Sequence, residues 1–180
     1  PEMVTASGLV VSTWGREKVG KTHLGLTFPD PVFIFNFDIG FRELVPKFPG
    51  RDIQALDFIL DDPSDAREVA RKLIKFEQAW FWALENAGGG SLVLDTATQF
   101  WQWVQVVKLQ DVKDRRVKHE AKKTNVDPMQ IDPDLIRLYP YDYSAANIYY
   151  GGLLRRALWA AQQHGTNTLL VHRCKEVYND

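Results

Sequence analysis

Cysteine is nearly absent. Cys174 stands alone among 180 residues, which excludes an internal disulfide and fits a reducing compartment. Long apolar runs are missing too: none approaches the roughly 18 residues that a membrane-spanning helix needs. The first residues also lack the charged-then-apolar form of a secretory signal, so a cytoplasmic site of action with no membrane partner is expected. Charge of one sign is lacking as well. Lys and Arg number 22 against 23 Asp and Glu, a net of −1, so any attraction to nucleic acid has to come from a local patch. With 45% hydrophobic and 25% charged residues, the composition suits one globular α/β domain over residues 1–180 with a sizeable core. The chain opens at Pro1 and stops at Asp180 just after an apolar strand. A domain incomplete at its C-terminal side is therefore expected.

The strongest motif is Gly15-Arg16-Glu17-Lys18-Val19-Gly20-Lys21-Thr22, which fits G-x-x-x-x-G-K-[ST] at every position. A phosphate-cradling loop needs two glycines at that spacing so that backbone N–H groups turn inward. It also needs a lysine that reaches the outer phosphates and a hydroxyl for magnesium. Leu9-Val10-Val11 reads as a buried strand before the loop, and Thr22-His23-Leu24-Gly25-Leu26 as a helix opening after it. A helix N-terminus at that point adds partial positive charge beneath the phosphates. The alternative is a glycine-rich surface turn that happens to carry a lysine. In the first reading, residues 15–23 through His23 contact the nucleotide, with Lys21 acting in catalysis and Thr22 on the metal.

Val32-Phe33-Ile34-Phe35-Asn36-Phe37 reads as a second buried strand, rich in β-branched and aromatic residues. It delivers Asp38 to a strand C-terminal end, where ligands of open α/β sheets sit, although a turn or capping role fits the same residue. Ile53-Gln54-Ala55-Leu56 is compatible with a short edge strand. Asp62 as N-cap and Pro63 at the first position predict a helix, whose stripe holds Ala66, Val69, Ala70, Leu73, Ile74, Trp80, Phe81 and Leu84. The stripe accounts for Trp80 and Phe81 as core, while Phe76 and Trp82 add ring faces that base stacking would also use. Gly88-Gly89-Gly90 ends the helix. Ser91-Leu92-Val93-Leu94-Asp95-Thr96 is an apolar strand ending in an acid, and Asp95 is the residue placed to share magnesium with Thr22.

Residues 98–123 are helix-compatible and turn basic towards their end. Lys108, Lys113, Arg115, Arg116, Lys118, Lys122 and Lys123 face Asp111, Asp114 and Glu120, so seven basic against three acidic residues leave +4 in sixteen positions. Two readings stay open: a solvated helix face with ordinary salt-bridge partners, or a contact to a phosphate backbone. Residues 125–143 read as a long loop with Tyr139, Tyr141 and Tyr143, of the kind that often carries function. Ser144 caps a further helix with Ile148, Leu154, Ala157, Leu158 and Ala161 as its apolar stripe and Gly165 at its end. Thr168-Leu169-Leu170-Val171 is a fourth buried strand that brings His172 and Arg173 to its C-terminal end. His172 there is either a packed residue or a site residue.

The order of these parts resembles the RecA-like recombinase ATPases, and more closely the small phage P-loop proteins of that class associated with single-strand annealing. The resemblance spans most of the chain. It implies an α/β RecA-like P-loop NTPase core, a mostly parallel sheet with helices on both faces, and ATP with Mg2+ as ligands. It gives Asp38 the role of the catalytic carboxylate that orients the attacking water, with aspartate where RecA has glutamate. Glu17 is the nearest alternative in sequence. It makes Leu92-Val93-Leu94-Asp95-Thr96 the magnesium-binding strand, and it puts His172 where RecA has a glutamine that senses the γ-phosphate. Two loops of the family bind single-stranded DNA. The first falls here in residues 108–143, where Tyr139 and Tyr141 join the basic run, and the second begins near Lys175. Implied partners are single-stranded DNA, further copies of the chain in a ring or filament, and a single-strand-binding protein, in the host cytoplasm if the chain is phage-encoded. Two other functions share the motif: a P-loop kinase or phosphotransferase, for whose usual arginine-rich lid Arg115-Arg116 could be mistaken, and an assembly scaffold controlled by ATP with little turnover.

Overall fold

A computed structural model describes residues 7–174. Its centre is a sheet of five strands: β1 (Val10–Gly15), β2 (Val32–Asn36), β3 (Ile53–Asp57), β4 (Ser91–Asp95) and β5 (Asn167–Arg173). They lie in the order β1-β5-β4-β2-β3, and each neighbouring pair is parallel. Parallel neighbours need crossovers, and three of the four run through helices: α1 (Lys21–Gly25), α2 (Ala66–Asn86), and the pair α3 (Ala97–Thr124) and α4 (Ser144–His164). The fourth, from β2 to β3, is a loop with two short 3₁₀ turns, Ile39–Phe41 and Val45–Lys47. Asn36 is level with both Asp57 and Asp95, Asp95 with Val171, and Gly15 with Arg173. All five strands therefore end along one rim of the sheet.

Both faces of the central strands are buried, which is why residues 32–35 of β2 and 92–94 of β4 read as unbroken apolar runs before a polar last residue. One face carries Phe33, Phe35, Leu92, Leu94 and Leu170 against α2, α3 and α4. Here Phe35, Phe37, Phe58, Phe76, Trp80, Phe100 and Trp103 form a continuous cluster of aromatic rings, with Phe76 and Phe100 centred 4.5 Å apart. Phe76 and Trp80 are thus core. Trp82 is 54% exposed, with its ring edge against Phe33. The opposite face carries Val32, Ile34, Val93, Leu169 and Val171. Helical cover there is unequal to the first, since among the described residues only α1 and the residues around Phe41 and Phe48 lie over it. Gly25 makes that close cover possible: a Cβ on it would come within 3.0 Å of Val93 and 3.2 Å of Leu169.

Several expected details differ. Helix α2 starts at Ala66, not Pro63, because Asp62 spends its carboxylate on a turn with Ser64, leaving Asp65 to accept from the N–H groups of Arg67 and Glu68. Ser144 is the first residue of α4 and not its cap, since the 3₁₀ turn Pro140–Tyr143 runs straight into the helix. The buried side of α4 is Ala146, Leu153, Ala157, Ala160 and Ala161, whereas Ile148 and Leu158 are 68% and 50% exposed. Small residues let α4 approach its neighbours closely, and that approach turns its larger side chains outward. Ile74 of α2 is likewise exposed. Residues 125–143 hold three 3₁₀ turns, each with a proline in its first turn, where a fixed φ and a missing N–H cost nothing. Among the described residues no helix is long and apolar enough to cross a membrane.

Candidate functional site

The loop after β1 curls over the rim to reach α1. Two of its residues lie in the left-handed region, Lys18 at φ 60° and Gly20 at φ 88°. Glycine adopts that geometry freely, but a lysine does so at a cost of order 1–3 kcal/mol, a strain that collects at ligand-binding turns. Lys21 leans back across the loop and donates to the carbonyls of Gly15 (2.8 Å) and Arg16 (2.5 Å). The ammonium already makes charge-assisted bonds to these carbonyls, but a phosphate oxyanion adds direct attraction between opposite charges, so a phosphate would compete well for this side chain. Helix α1 has only five residues, so the loop's own N–H groups, more than a helix dipole, offer positive potential.

Thr22 sits on α1 and donates its hydroxyl to Asp95 Oδ2 at 2.5 Å. Phosphate loop and β4 thus meet in one contact. Asp95 is 3% exposed, and burial raises its pKa, with the nearby negative charge of Asp38 adding to the shift. The Thr22 bond and the positive charges of Arg173 and Lys21 oppose it. A hydroxyl beside a buried, desolvated carboxylate is a donor set that suits a hard dication. Among the described residues no group of three or more His, Cys, Asp or Glu side chains is gathered for a metal; Thr22 and Asp95 are the pair whose chemistry could hold a divalent cation.

The raised pKa has a testable consequence. With a native value above the unfolded 3.8, the folded state keeps a proton that the unfolded state has already released. That contribution to stability is complete below pH 3.8 and is lost as pH rises through the native value. Asp95→Asn keeps an acceptor for Thr22 without the buried charge. In metal-free buffer at pH 7 it should be more stable than the parent by about 0.5–2 kcal/mol, or ~2–4 °C in melting temperature for each kcal/mol. A melt showing Asp95→Asn less stable than the parent would refute this.

Asp38 follows β2 on a turn shaped by Asn36. The buried Asn36 amide donates to Asp57 (2.7 Å), its oxygen accepts from the Asp38 N–H (3.1 Å), and Arg42 pairs with Asp57 from outside. The Asp38 carboxylate meets the Arg173 guanidinium, whose other arm reaches Glu17 Oε1 at 3.1 Å. Glu17, Lys18, Gly20, Lys21, Thr22, His23, Asp38, Asp95 and Arg173 together line a cavity of about 660 Å³ at the rim. Gly15, Arg16 and Val19 contribute loop backbone without lining it.

His172 is placed elsewhere. Its ring stacks on Trp14, centroids 4.0 Å apart and planes within 5°, and its Nε2 lies 3.5 Å from Ser12 Oγ. Alternation along the strand is the reason. Leu169 and Val171 face α1, so Arg173 does too, while Leu170 and His172 face the other way. The same parity puts Val93 and Asp95 on the α1 side. Burial lowers the pKa of His172, so its ring is neutral at pH 7. Arg173 is thus a site residue that sequence reading missed. Its one signal, a strand-end arginine two positions beyond Val171, is hidden because Thr168-Leu169-Leu170-Val171 is apolar on both faces.

The basic run lies on the distal part of α3, which leaves the rim at Ala97 and runs about 1.5 Å per residue away from it. Much of its charge is already engaged. Lys108 sits 5.0 Å over the Tyr149 ring, Lys113 pairs with Asp134 at 2.8 Å, and Arg116 binds the buried Asp142 at 2.6 Å. Tyr139 and Tyr141 stack 5.4 Å apart beneath Arg116. Arg115, Lys118, Lys122 and Lys123 remain exposed. Arg116, bound to Asp142, is not placed as a lid over the phosphate loop. The expected second DNA loop near Lys175 lies outside the described residues.

A wholly parallel α/β sheet with a phosphate-loop motif between its first strand and first helix defines a P-loop α/β fold. The sequence matches no family model and no curated protein. A solved structure similar to the chain is described as that of a prototypical ATPase from the type III secretion system of pathogenic bacteria. The two share 14% identity with a TM-score of 0.47, over 97% of this chain and 46% of that one. The chain thus spans less than half of that protein's length, and so remote a likeness says nothing of chemistry.

Proposed function

We propose that this protein binds ATP with Mg2+ in the rim cavity and hydrolyses it, working on single-stranded DNA as a self-assembling RecA-like ATPase in phage-type recombination or annealing. The observation that carries the ATP reading is the Thr22–Asp95 contact, because it joins the motif's hydroxyl to the strand-end carboxylate from opposite sides of one cavity. Thr22 and Asp95 would hold Mg2+, which when bound neutralises charge on the phosphate oxygens. Lys21 would hold the outer phosphates, and Asp38 would orient the attacking water. A second reading, assembly controlled by ATP with little turnover, is favoured by one observation: Arg173 occupies the Asp38 carboxylate. ATP turnover measured with and without single-stranded DNA tests both. Stimulation by DNA supports hydrolysis on DNA, tight binding with negligible turnover supports the scaffold, and a phosphorylated acceptor supports a kinase instead.

The DNA part rests on the exposed cations of distal α3 and on the stacked Tyr139 and Tyr141. Arg116 anchors Asp142, so charge should be removed at Arg115, Lys118, Lys122 and Lys123 only. That variant should weaken DNA binding for all sequences and flatten the dependence on salt by up to roughly 0.7 log units for each phosphate left without its cation. Removal of a tyrosine that stacks on a base should cost about 1–3 kcal/mol with little change in slope. Anisotropy titrations over a salt series report both, and unchanged affinity and slope in the charge variant would leave distal α3 no part in DNA binding.

A further inference from the structure

Arg173 grips the phosphate loop and the Asp38 turn at once. Its guanidinium spans Glu17 and Asp38, its backbone N–H is fixed by Thr98 Oγ1 at 3.0 Å, and its strand position is level with Gly15. The side chain is 34% exposed, towards the cavity. Among the described residues, acids lining that cavity outnumber Lys and Arg by four to three, so without Arg173 a polyphosphate would meet still greater repulsion.

We propose that Arg173 is a positioning residue that selects a triphosphate over a diphosphate by exchanging its carboxylate partners for the terminal phosphate, and that this exchange releases Asp38 to orient water. The inference rests on the ATP reading above and deepens it. A guanidinium presents a planar fork that suits a phosphate as well as a carboxylate. Glu17 and Asp38 have 70% and 41% exposed side chains, so both can return to water when the arginine leaves. A terminal phosphate held by Lys21 cannot. Nucleotide free of its third phosphate leaves Arg173 on Asp38, which keeps the carboxylate engaged when there is nothing to hydrolyse. Ligand binding shifts such an equilibrium only by the difference in affinity for the two arrangements, so the prediction is one of discrimination rather than overall affinity.

Calorimetric titration of the full chain with Mg2+ and either ADP or a non-hydrolysable ATP analogue tests this. Arg173→Ala should weaken the analogue about 10- to 150-fold, the equivalent of removing one bond to a charged group, while ADP changes only a few-fold. Arg173→Lys should recover part of the difference and also serves if the alanine variant folds poorly. Asp38→Asn should tighten the analogue clearly more when Arg173 is present than in Arg173→Ala, where only the relief of charge repulsion remains, a difference that a merely structural clamp does not produce. Equal weakening of analogue and ADP in both Arg173 variants, or Asp38→Asn weakening the analogue, would overturn the exchange. Parent protein that binds neither ligand would instead overturn the ATP reading on which it rests.

Discussion

Alanine in place of Lys21 is expected to abolish ATP turnover. The ammonium now bridges the carbonyls of Gly15 and Arg16, which holds it over the loop where the outer phosphates of a nucleotide would lie. Charge grows on those phosphates as the terminal group departs, and a fixed cation stabilises that growth without reorganising. Removing a single preorganised donor from such a position typically costs about 100- to 1,000-fold. Lys21 carries a full charge, so the reduction should be at least that large. Among the described residues, neither Lys18 nor Arg173 at the cavity substitutes for it: Lys18 lies on the strained outer turn, and Arg173 is committed to Glu17 and Asp38. The fold should survive, because the Lys21 ammonium binds loop carbonyls and not the core. Phosphate release followed for parent and variant, with a melt to show equal folding, decides the matter. Turnover of Lys21→Ala within a few-fold of the parent would mean that the loop does not hold the reacting phosphates.

Asp38→Asn is the second large effect. An amide keeps the shape of the side chain and its place on the Asn36-supported turn, but it cannot draw a proton from water. Removal of a group in that role typically slows the reaction about 100- to 10,000-fold. Nucleotide affinity should not fall, since Asp38 adds negative charge to an anion site and its removal also releases one arm of Arg173, the other staying on Glu17. A normal rate for Asp38→Asn would shift the role to another carboxylate, with Glu17 the nearest at the cavity. The combination of slow turnover and undiminished affinity separates a chemical role from a structural one, because collapse of the turn would lower both.

Much of the site was legible because each of its main residues is announced by local chemistry. Gly15, Gly20, Lys21 and Thr22 stand at fixed spacing, and Asp38 and Asp95 each close an apolar run that only a buried parallel strand explains. Such strands advertise where they end but not which way they point. With both faces apolar, β5 carries no alternation to read, and only the family resemblance points to His172 rather than Arg173. Only the packing of Leu169 and Val171 against α1 settles that parity. The basic stretch of α3 failed to read cleanly for a related reason, since a charge count does not reveal that Lys113 is held by Asp134 or Arg116 by Asp142.

Sequence alone therefore determined the phosphate-loop motif, the location of four buried strands, and the two acids that follow apolar runs, because those depend on spacing, hydrophobic runs and backbone freedom within a few residues. That Ile53–Asp57 completes the sheet as a fifth strand came from the structure. Tertiary structure alone decided that β5 lies between β1 and β4, that Thr22 meets Asp95, and that one arginine ties Glu17 to Asp38. Those facts depend on side chains separated by scores of residues. Such contacts follow from strand order and facing, which form only when the sheet assembles.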